Sequence, residues 1–419
     1  MKEKATTGFR MTKSLHDFLA ETSNGQTLWP TSKEEAWKYF DFKKLKSFEN
    51  LVIDQASSDV FEVEALADSQ KEIIISDNRV KVSQDLLDLG VKVSRQEGLR
   101  ILNANSKIDQ RFLNINKIFP TIVLGFDTVE IPETIKVKFN FKDTKRDVVG
   151  TTIKYDVKNS NVSVYELFES EAFDPQTFVS VFTQVEQVDS RFRHFVVQQS
   201  LPSTLALLYS SEASLGALST YKLFLTSLNS QFVRNQNNVH ILKSDVNAEV
   251  LTFVLAGDTG FSESRTEIAH YEPNGVSRQL FKAIVADEAK AIFNGRIYID
   301  PIAQKTDSAQ SCKGLLLGEK AQMNAKPELE IYADDVKAAH GAAIGQVSSD
   351  EVFYLLSRGI SPEKAYELLA QAFAGEVIQG ISDLEVRKDI SVKIKEACAP
   401  VFADLIQSYK AQDAAKRKN

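Results

Sequence analysis

Residues 279–301 read "QLFKAIVADEAKAIFNGRIYIDP". Two runs of apolar and β-branched residues stand a few charged residues apart, and the second stops at Asp300-Pro301. Each run is too short for an ordinary helix, and turn residues bound them, so both read as strands. The same texture begins near residue 116 with "TIVLGF", "TIKVKFNF", "VVGTTIKYDV" and "FVSVFTQV". It continues through "VLTFVLAG" to "KGLLLG" and "LEIYAD". Gly257, Gly260, Asn274-Gly275, Asn294-Gly295, Gly314 and Gly318 punctuate the later runs, as residues that tolerate positive φ do at turns. No helix of normal length fits between residues 239 and 346. Many short strands at even spacing predict a sandwich, a barrel or a β-solenoid. No strict repeat period is apparent that would choose among the three.

The flanks have a different texture. Residues 1–115 read as a mainly helical N-terminal domain, with "MTKSLHDFLAET" and "WPTSKEEAWKYFDFKKL" as its clearest segments. Residues 116–346 form the β core. Residues 347–419 turn helical again. There "SSDEVFYLLSRG" ends at Gly359, a plausible C-cap. In "SPEKAYELLAQAFAGEVIQG" Ser361 is the N-cap, Pro362 takes the first helical position and Gly380 stops the helix. A third helix carries Val386, Ile390, Ile394, Cys398, Val401 and Leu405 at helical spacing.

The 419-residue chain is 43% hydrophobic and 26% charged, ordinary values for a globular protein. A net charge of -7 and scattered basic residues argue against a nucleic-acid partner. No apolar run approaches the roughly 18 residues a membrane helix needs. The N-terminal segment lacks the apolar core of a signal peptide, so the expected location is cytoplasmic and no membrane partner is expected. Only two cysteines occur, Cys312 and Cys398, with no CxxC. They support neither a disulfide framework nor a zinc finger, and they cannot alone complete the four-thiolate shell of an iron–sulfur cluster. Cys398 falls on an apolar helix seam and reads as a small hydrophobe. Cys312, in "SAQSCKG", reads as a loop or strand-edge cysteine whose neighbour Lys313 would lower its thiol pKa. "GLLLGEKA", residues 314–321, misses the phosphate-loop pattern: the spacing is short and Ala321 replaces the hydroxyl. Ser361 to Lys364 matches S-x-x-K, but its companion motifs are absent and capping accounts for Ser361.

One histidine stands out among five. In "LEIYADDVKAAHGAAIGQ", residues 329–346, His340 follows Asp334 and Asp335 and precedes Gly341 and Gly345. The aspartates are near enough in sequence to hold the ring from its second nitrogen, as outer carboxylates do for metal-bound histidines. The plain alternative is a hydrogen-bonded histidine at a strand end.

The stretch "PELEIYADDVKAAHGAAIGQVSSDEVFYLLSRGISPEKA" resembles the C-terminal signature of the SufB/SufD family of iron–sulfur cluster assembly proteins. "AIFNGRIYIDPIAQKTDSAQSCKGLLLGEKA", "HYEPNGVSRQLFKAIVADEAK" and the entry segment "WPTSKEEAWKYFDFKKL" are similar to further family segments. Length and the lack of a "CDSMS"-type segment resemble the SufD branch. The resemblance implies a right-handed parallel β-helix between helical terminal domains. It implies a cytoplasmic, non-catalytic scaffold that pairs with a SufB-like paralogue and binds a SufC-like ATPase. The helical C-terminal domain is then the ATPase docking site, with Tyr354, Arg358 and Phe373 as candidate contacts. His340 matches the family's HG histidine and becomes the candidate ligand for a nascent iron–sulfur cluster shared with the partner chain, with Asp334 and Asp335 behind it. Many SufD chains carry a cysteine two residues earlier, where this chain has Ala338. Two other readings stand beside this one: a β-helix carbohydrate lyase using Asp334 and Asp335, and a stand-alone homodimer joined through the β core.

Overall fold

The computed structural model describes residues 12–21, 30–34, 37–54, 62–67, 71–76, 79–96, 110–140, 147–169 and 176–416. In the N-terminal part, β1 (Thr12–Ser14) leads into α1 (Leu15–Glu21). It is followed by α2 (Phe42–Lys46), β2 (Val52–Asp54), β3 (Glu62–Leu66), β4 (Glu72–Ser76), β5 (Arg79–Ser83), α3 (Gln84–Asp88), β6 (Lys92–Gln96) and α4 (Gln110–Asn116). Short helices and short strands alternate, so the expected mainly helical N-terminal region finds only weak support.

The chain then winds into a parallel β-solenoid of about seven turns. Its first strands are β7 (Thr121–Asp127) and β8 (Ile135–Phe139). The turns pair β9 (Val148–Lys158) with β10 (Asn161–Glu169), β11 (Thr177–Val188) with β12 (Arg191–Gln199), and β13 (Leu205–Leu215) with β14 (Thr220–Leu228). Next come β15 (Phe232–Ile241) with β16 (Asn247–Ala256), and β17 (Phe261–His270) with β18 (Val276–Ala286). The last are β19 (Lys290–Ile299) with β20 (Asp307–Leu317), and β21 (Gln322–Ile331) with β22 (Lys337–Gln346). Odd-numbered strands stack into one sheet and even-numbered strands into the other. Partners on neighbouring strands lie about 30 residues apart in sequence, from Asn161 opposite Arg191 to Asp307 opposite Lys337.

Period-2 alternation divides each strand between an interior and an outer face. In the first turns the interior is apolar, with Ile153, Val164, Val181, Leu207, Leu223 and Leu225 in one cluster. Both outer faces are also covered. Phe178, Leu208, Phe232 and Phe261 meet Trp37, Phe40 and Phe48 of the N-terminal part. Phe195, Phe224, Leu251 and Phe253 meet the C-terminal helices. A strand buried on both faces loses the polar-apolar alternation of a half-exposed strand, which is why these runs look continuously apolar. At the turns, Asn159, Asp189, Leu218, Asp245, Asn274 and Lys305 adopt positive φ. Asn294-Gly295 and Gly314, read from sequence as turns, lie inside β19 and β20. Gly295 is small for a packing reason: a Cβ there would collide with the side-chain amide of Gln310.

From the fourth turn a set of polar residues shares the interior with the apolar cluster of Phe281, Phe293 and Cys312. Asn235, Asn237, Thr252, Ser264, Thr266 and Gln279 are buried there. His270 belongs to this set, fully buried, with Nε2 at 2.8 Å from Ser277 Oγ.

The chain leaves β22 into α5 (Ser349–Ser357), α6 (Pro362–Gln379) and α7 (Leu384–Lys416). Ser361 Oγ accepts from Lys364 N, Pro362 opens α6 and Gly380 caps it. The helices fold back along the side of the solenoid. Lys282, buried on β18, donates to Glu376 Oε2 and to the Phe373 carbonyl of α6, both at 2.7 Å. Lys313 of β20 reaches the same carboxylate at 3.0 Å.

Two outcomes follow for stability. Burial depresses the His270 pKa from 6.5 to about 4. The folded chain therefore keeps this ring neutral where the unfolded chain protonates it. Stability present above pH 6.5 is lost as pH falls toward 4, by about 3 kcal/mol for this group. In urea melts at stepped pH, His270→Gln should lose less stability than the wild type over that window. Glu376→Gln should cost about 1 kcal/mol, the carboxylate being half-exposed, and should speed hydrogen exchange across Pro362–Gln379.

Candidate functional site

The two ends of the solenoid differ. At the N-terminal end, β6 adds antiparallel to β7, while β4, β5 and β3 extend the other sheet beyond β8. At the C-terminal end, β21 and β22 are the outermost strands of their sheets. The following helices run along the flank, so the last turn has no covering layer among the described residues. The burial record shows this: β21 is half-buried along most of its length and β22 is almost wholly exposed. Ile331, Tyr332 and Ile344 are 38%, 59% and 42% exposed. Each strand carries an unpaired row of backbone N–H and C=O groups along its free edge, a template for another chain.

His340 lies at this end. Its register partner on β20 is Gln310, which in turn stands opposite Gln279 of β18. This column lies on the interior face, since Cys312, two residues after Gln310, packs with Phe281 and Phe293 inside the solenoid. The imidazole therefore crowns this polar column at the exposed last turn. It makes no side-chain hydrogen bond among the described residues. Ala338 shares its face, over Ser308.

Asp334 and Asp335 occupy the exposed turn before β22. Asp335 is 3.6 Å from Lys305 Nζ, and its N–H donates to Gln304 Oε1 at 2.9 Å. Neither carboxylate reaches the His340 ring. No group of three or more His, Cys, Asp or Glu side chains suited to a metal occurs among the described residues.

The helical candidates separate in the same way. Tyr354 on α5 is 54% exposed, and the guanidinium of Arg358 stacks over its ring at 4.5 Å. Phe353 beside it is 72% exposed. Phe373 instead packs toward the solenoid, with Lys282 Nζ 4.3 Å above its ring. Tyr354 and Arg358 are thus available to a partner, and Phe373 supports α6 from beneath.

Cys312 departs from its sequence reading. It is buried within β20, and desolvation pushes its thiol up to about 12. Lys313 points to the opposite face and pairs with Glu376, so it does not lower that pKa. Cys398 is buried on α7 and is likewise pushed up to about 12 by burial. Gln310 and the interior position of Cys312 went unnoticed in the sequence. Aligning the chain on itself at an offset of about 30 residues would have placed Gln279, Gln310 and His340 in one column.

A cleft of about 210 Å³ lies elsewhere, between β8, β10 and the start of α7. Its polar groups are engaged with each other: Thr134 donates to Asp383 and Tyr165 to Asp389, both at 2.6 Å. That cleft fastens α7 to the solenoid and is remote from His340.

Known proteins give the same assignment. Residues 149–373 match the family model described as SUF system FeS cluster assembly, SufBD core domain. A SufBD family iron–sulfur cluster assembly protein of Synechocystis is 38% identical over 166 residues, 40% of this chain and 37% of that protein. The iron–sulfur cluster assembly protein SufD of Escherichia coli is 40% identical over 132 residues, 32% of this chain and 31% of the relative. The match thus spans about a third of the length of each. The chloroplastic protein ABCI7 of Arabidopsis thaliana is 28% identical over 408 residues, 91% of this chain and 85% of the relative. With more than half of its length inside the core-domain model, and with the solenoid that its signature implied, the chain belongs to the SufB/SufD family of iron–sulfur cluster assembly proteins and is most like SufD.

Proposed function

We propose that this chain is a non-catalytic scaffold subunit of a Suf iron–sulfur cluster assembly complex. Its uncovered solenoid end pairs with the matching end of a SufB-like paralogue. The exposed face of α5, with Tyr354 and Arg358, holds a SufC-like ATPase. His340 is then a ligand to the nascent cluster, which is cargo built at the joint between the chains. The proposed compartment is the cytoplasm. No helix among the described residues is long and apolar enough to cross a membrane.

The observation that carries this reading is the open end. One end of the solenoid is extended by additional strands, while the other presents two bare strand edges with His340 over the interior. A parallel solenoid needs a cap at each end to stay soluble, and a partner of like architecture satisfies the free backbone groups. A lyase would need two carboxylates converging on a substrate as acid and base. Asp334 and Asp335 instead sit side by side on a turn, and Asp335 pairs with Lys305, which favours the scaffold.

Co-expression with a SufB-like paralogue and a SufC-like ATPase tests the reading. The expected result is a stable complex that hydrolyses ATP. A chain that binds neither partner, or only a second copy of itself, contradicts it. Within the complex, Arg358→Ala should weaken ATPase capture by roughly 2 kcal/mol, as the loss of a stacked arginine anchor does. His340→Ala should leave the complex assembled while lowering its visible cluster absorbance about tenfold.

A further inference from the structure

The last two turns of the solenoid bring soft donors to the interior from both sheets. Cys312 of β20 stands opposite Ala342 of β22, two residues along from the Gln310–His340 pair. Its thiol thus lies one strand below the imidazole and diagonal to it, under a residue no larger than alanine. Across the interior, Met323 of β21 packs its sulfur into the space left by Gly314, two residues beyond Cys312, where any Cβ would collide with it. Thiol and thioether sulfur and an imidazole suit soft and borderline metal ions.

A fourth group points to a ligand independently. Gln310 is 3% exposed, and its Oε1 has no hydrogen-bond partner among the described residues. Its Nε2 is committed to Gln279 Oε1 in the turn below, at 2.5 Å. Gly295 leaves the room that this amide occupies. With the nitrogen committed to the turn below, Oε1 is left without a donor, and His340 is the register partner of Gln310 on the turn above. A buried carbonyl oxygen without a donor is costly. It is also the usual outer partner of a metal-bound imidazole, whose second N–H it accepts.

We infer that Cys312 supplies, from the strand beneath, the thiolate that the histidine motif lacks at Ala338, so that Cys312 and His340 form a two-donor half-site for iron of the cluster cargo. Gln310 is a positioning residue that accepts the other ring N–H of His340. The inference rests on the reading of His340 as a cargo ligand. On binding, a hydrated divalent ion exchanges two waters for the Cys312 sulfur and a His340 nitrogen, and the thiol proton leaves to solvent. Partner chains supply the remaining ligands.

Cobalt(II) titration of the reduced, isolated full-length chain under anaerobic conditions tests this. The expected result is a near-ultraviolet thiolate-to-cobalt charge-transfer band that saturates at about one ion per chain. Cys312→Ser and the more apolar Cys312→Ala should both abolish it, with folding checked by circular dichroism. Cys398→Ser should leave it unchanged. His340→Ala and Gln310→Leu should each weaken cobalt binding about tenfold or more. The inference is overturned if the folded wild type shows no band, if the band survives loss of Cys312, or if His340→Ala leaves the affinity unchanged. The titration needs no partner chain, so its failure would remove Cys312 from the site and leave the scaffold reading to the co-expression test.

Discussion

A β-sheet can end only where its last strand finds partners for its backbone or gives them to water, and this solenoid meets that constraint differently at its two ends. At the start, β3 to β6 continue both sheets. At the finish, β21 is half-buried and β22 almost wholly exposed, with both outer edges free. The C-terminal helices could have closed that end. They pack instead on the outer face of the even-numbered sheet, held by Lys282 and Lys313 on Glu376 and by the apolar cluster around Phe253 and Val377. This arrangement stabilises the solenoid laterally and leaves its end free.

The interior changes character along the same axis. The early turns are filled by branched aliphatic and aromatic side chains, and one buried carboxylate there, Glu166, is held by the hydroxyls of Tyr155 and Tyr209 at 2.8 and 3.0 Å. Later turns set Asn, Ser, Thr and Gln beside the apolar cluster of Phe281 and Phe293. Burying amides and hydroxyls costs free energy unless each is paired, so such an interior is a poor choice for stability alone. It leads to the turn that carries His340.

Much of this was legible in the sequence. Ser361, Pro362 and Gly380 mark α6 through local rules of capping and backbone geometry, which need no tertiary information. The strand run from residue 116 was visible because solenoid strands covered on both faces are apolar almost throughout. The stacking was not, because a coil of about 30 residues repeats its shape and not its side chains. Cys312 shows the cost of that. Its neighbours Ser311 and Lys313 face outward, so a window of local composition reads as polar while the cysteine itself points inward. Asp334 and Asp335 failed for the related reason that closeness in sequence across a turn does not bring side chains to a strand's interior face. Of the helical candidates, Tyr354 and Arg358 lie exposed, whereas Phe373 packs toward the solenoid, a position that only the packing of α6 reveals.

The central claim is that the β22 end is completed by another chain. Hydrogen exchange of the Lys337–Gln346 amides, measured for the chain alone and with a SufB-like paralogue, tests it most directly. In a parallel sheet the edge strand bonds one neighbour through alternate amides, so the other set should exchange fast in the chain alone and become protected by about two orders of magnitude on complex formation. Unchanged exchange along β22 in a complex that nevertheless forms would place the joint elsewhere and contradict the account.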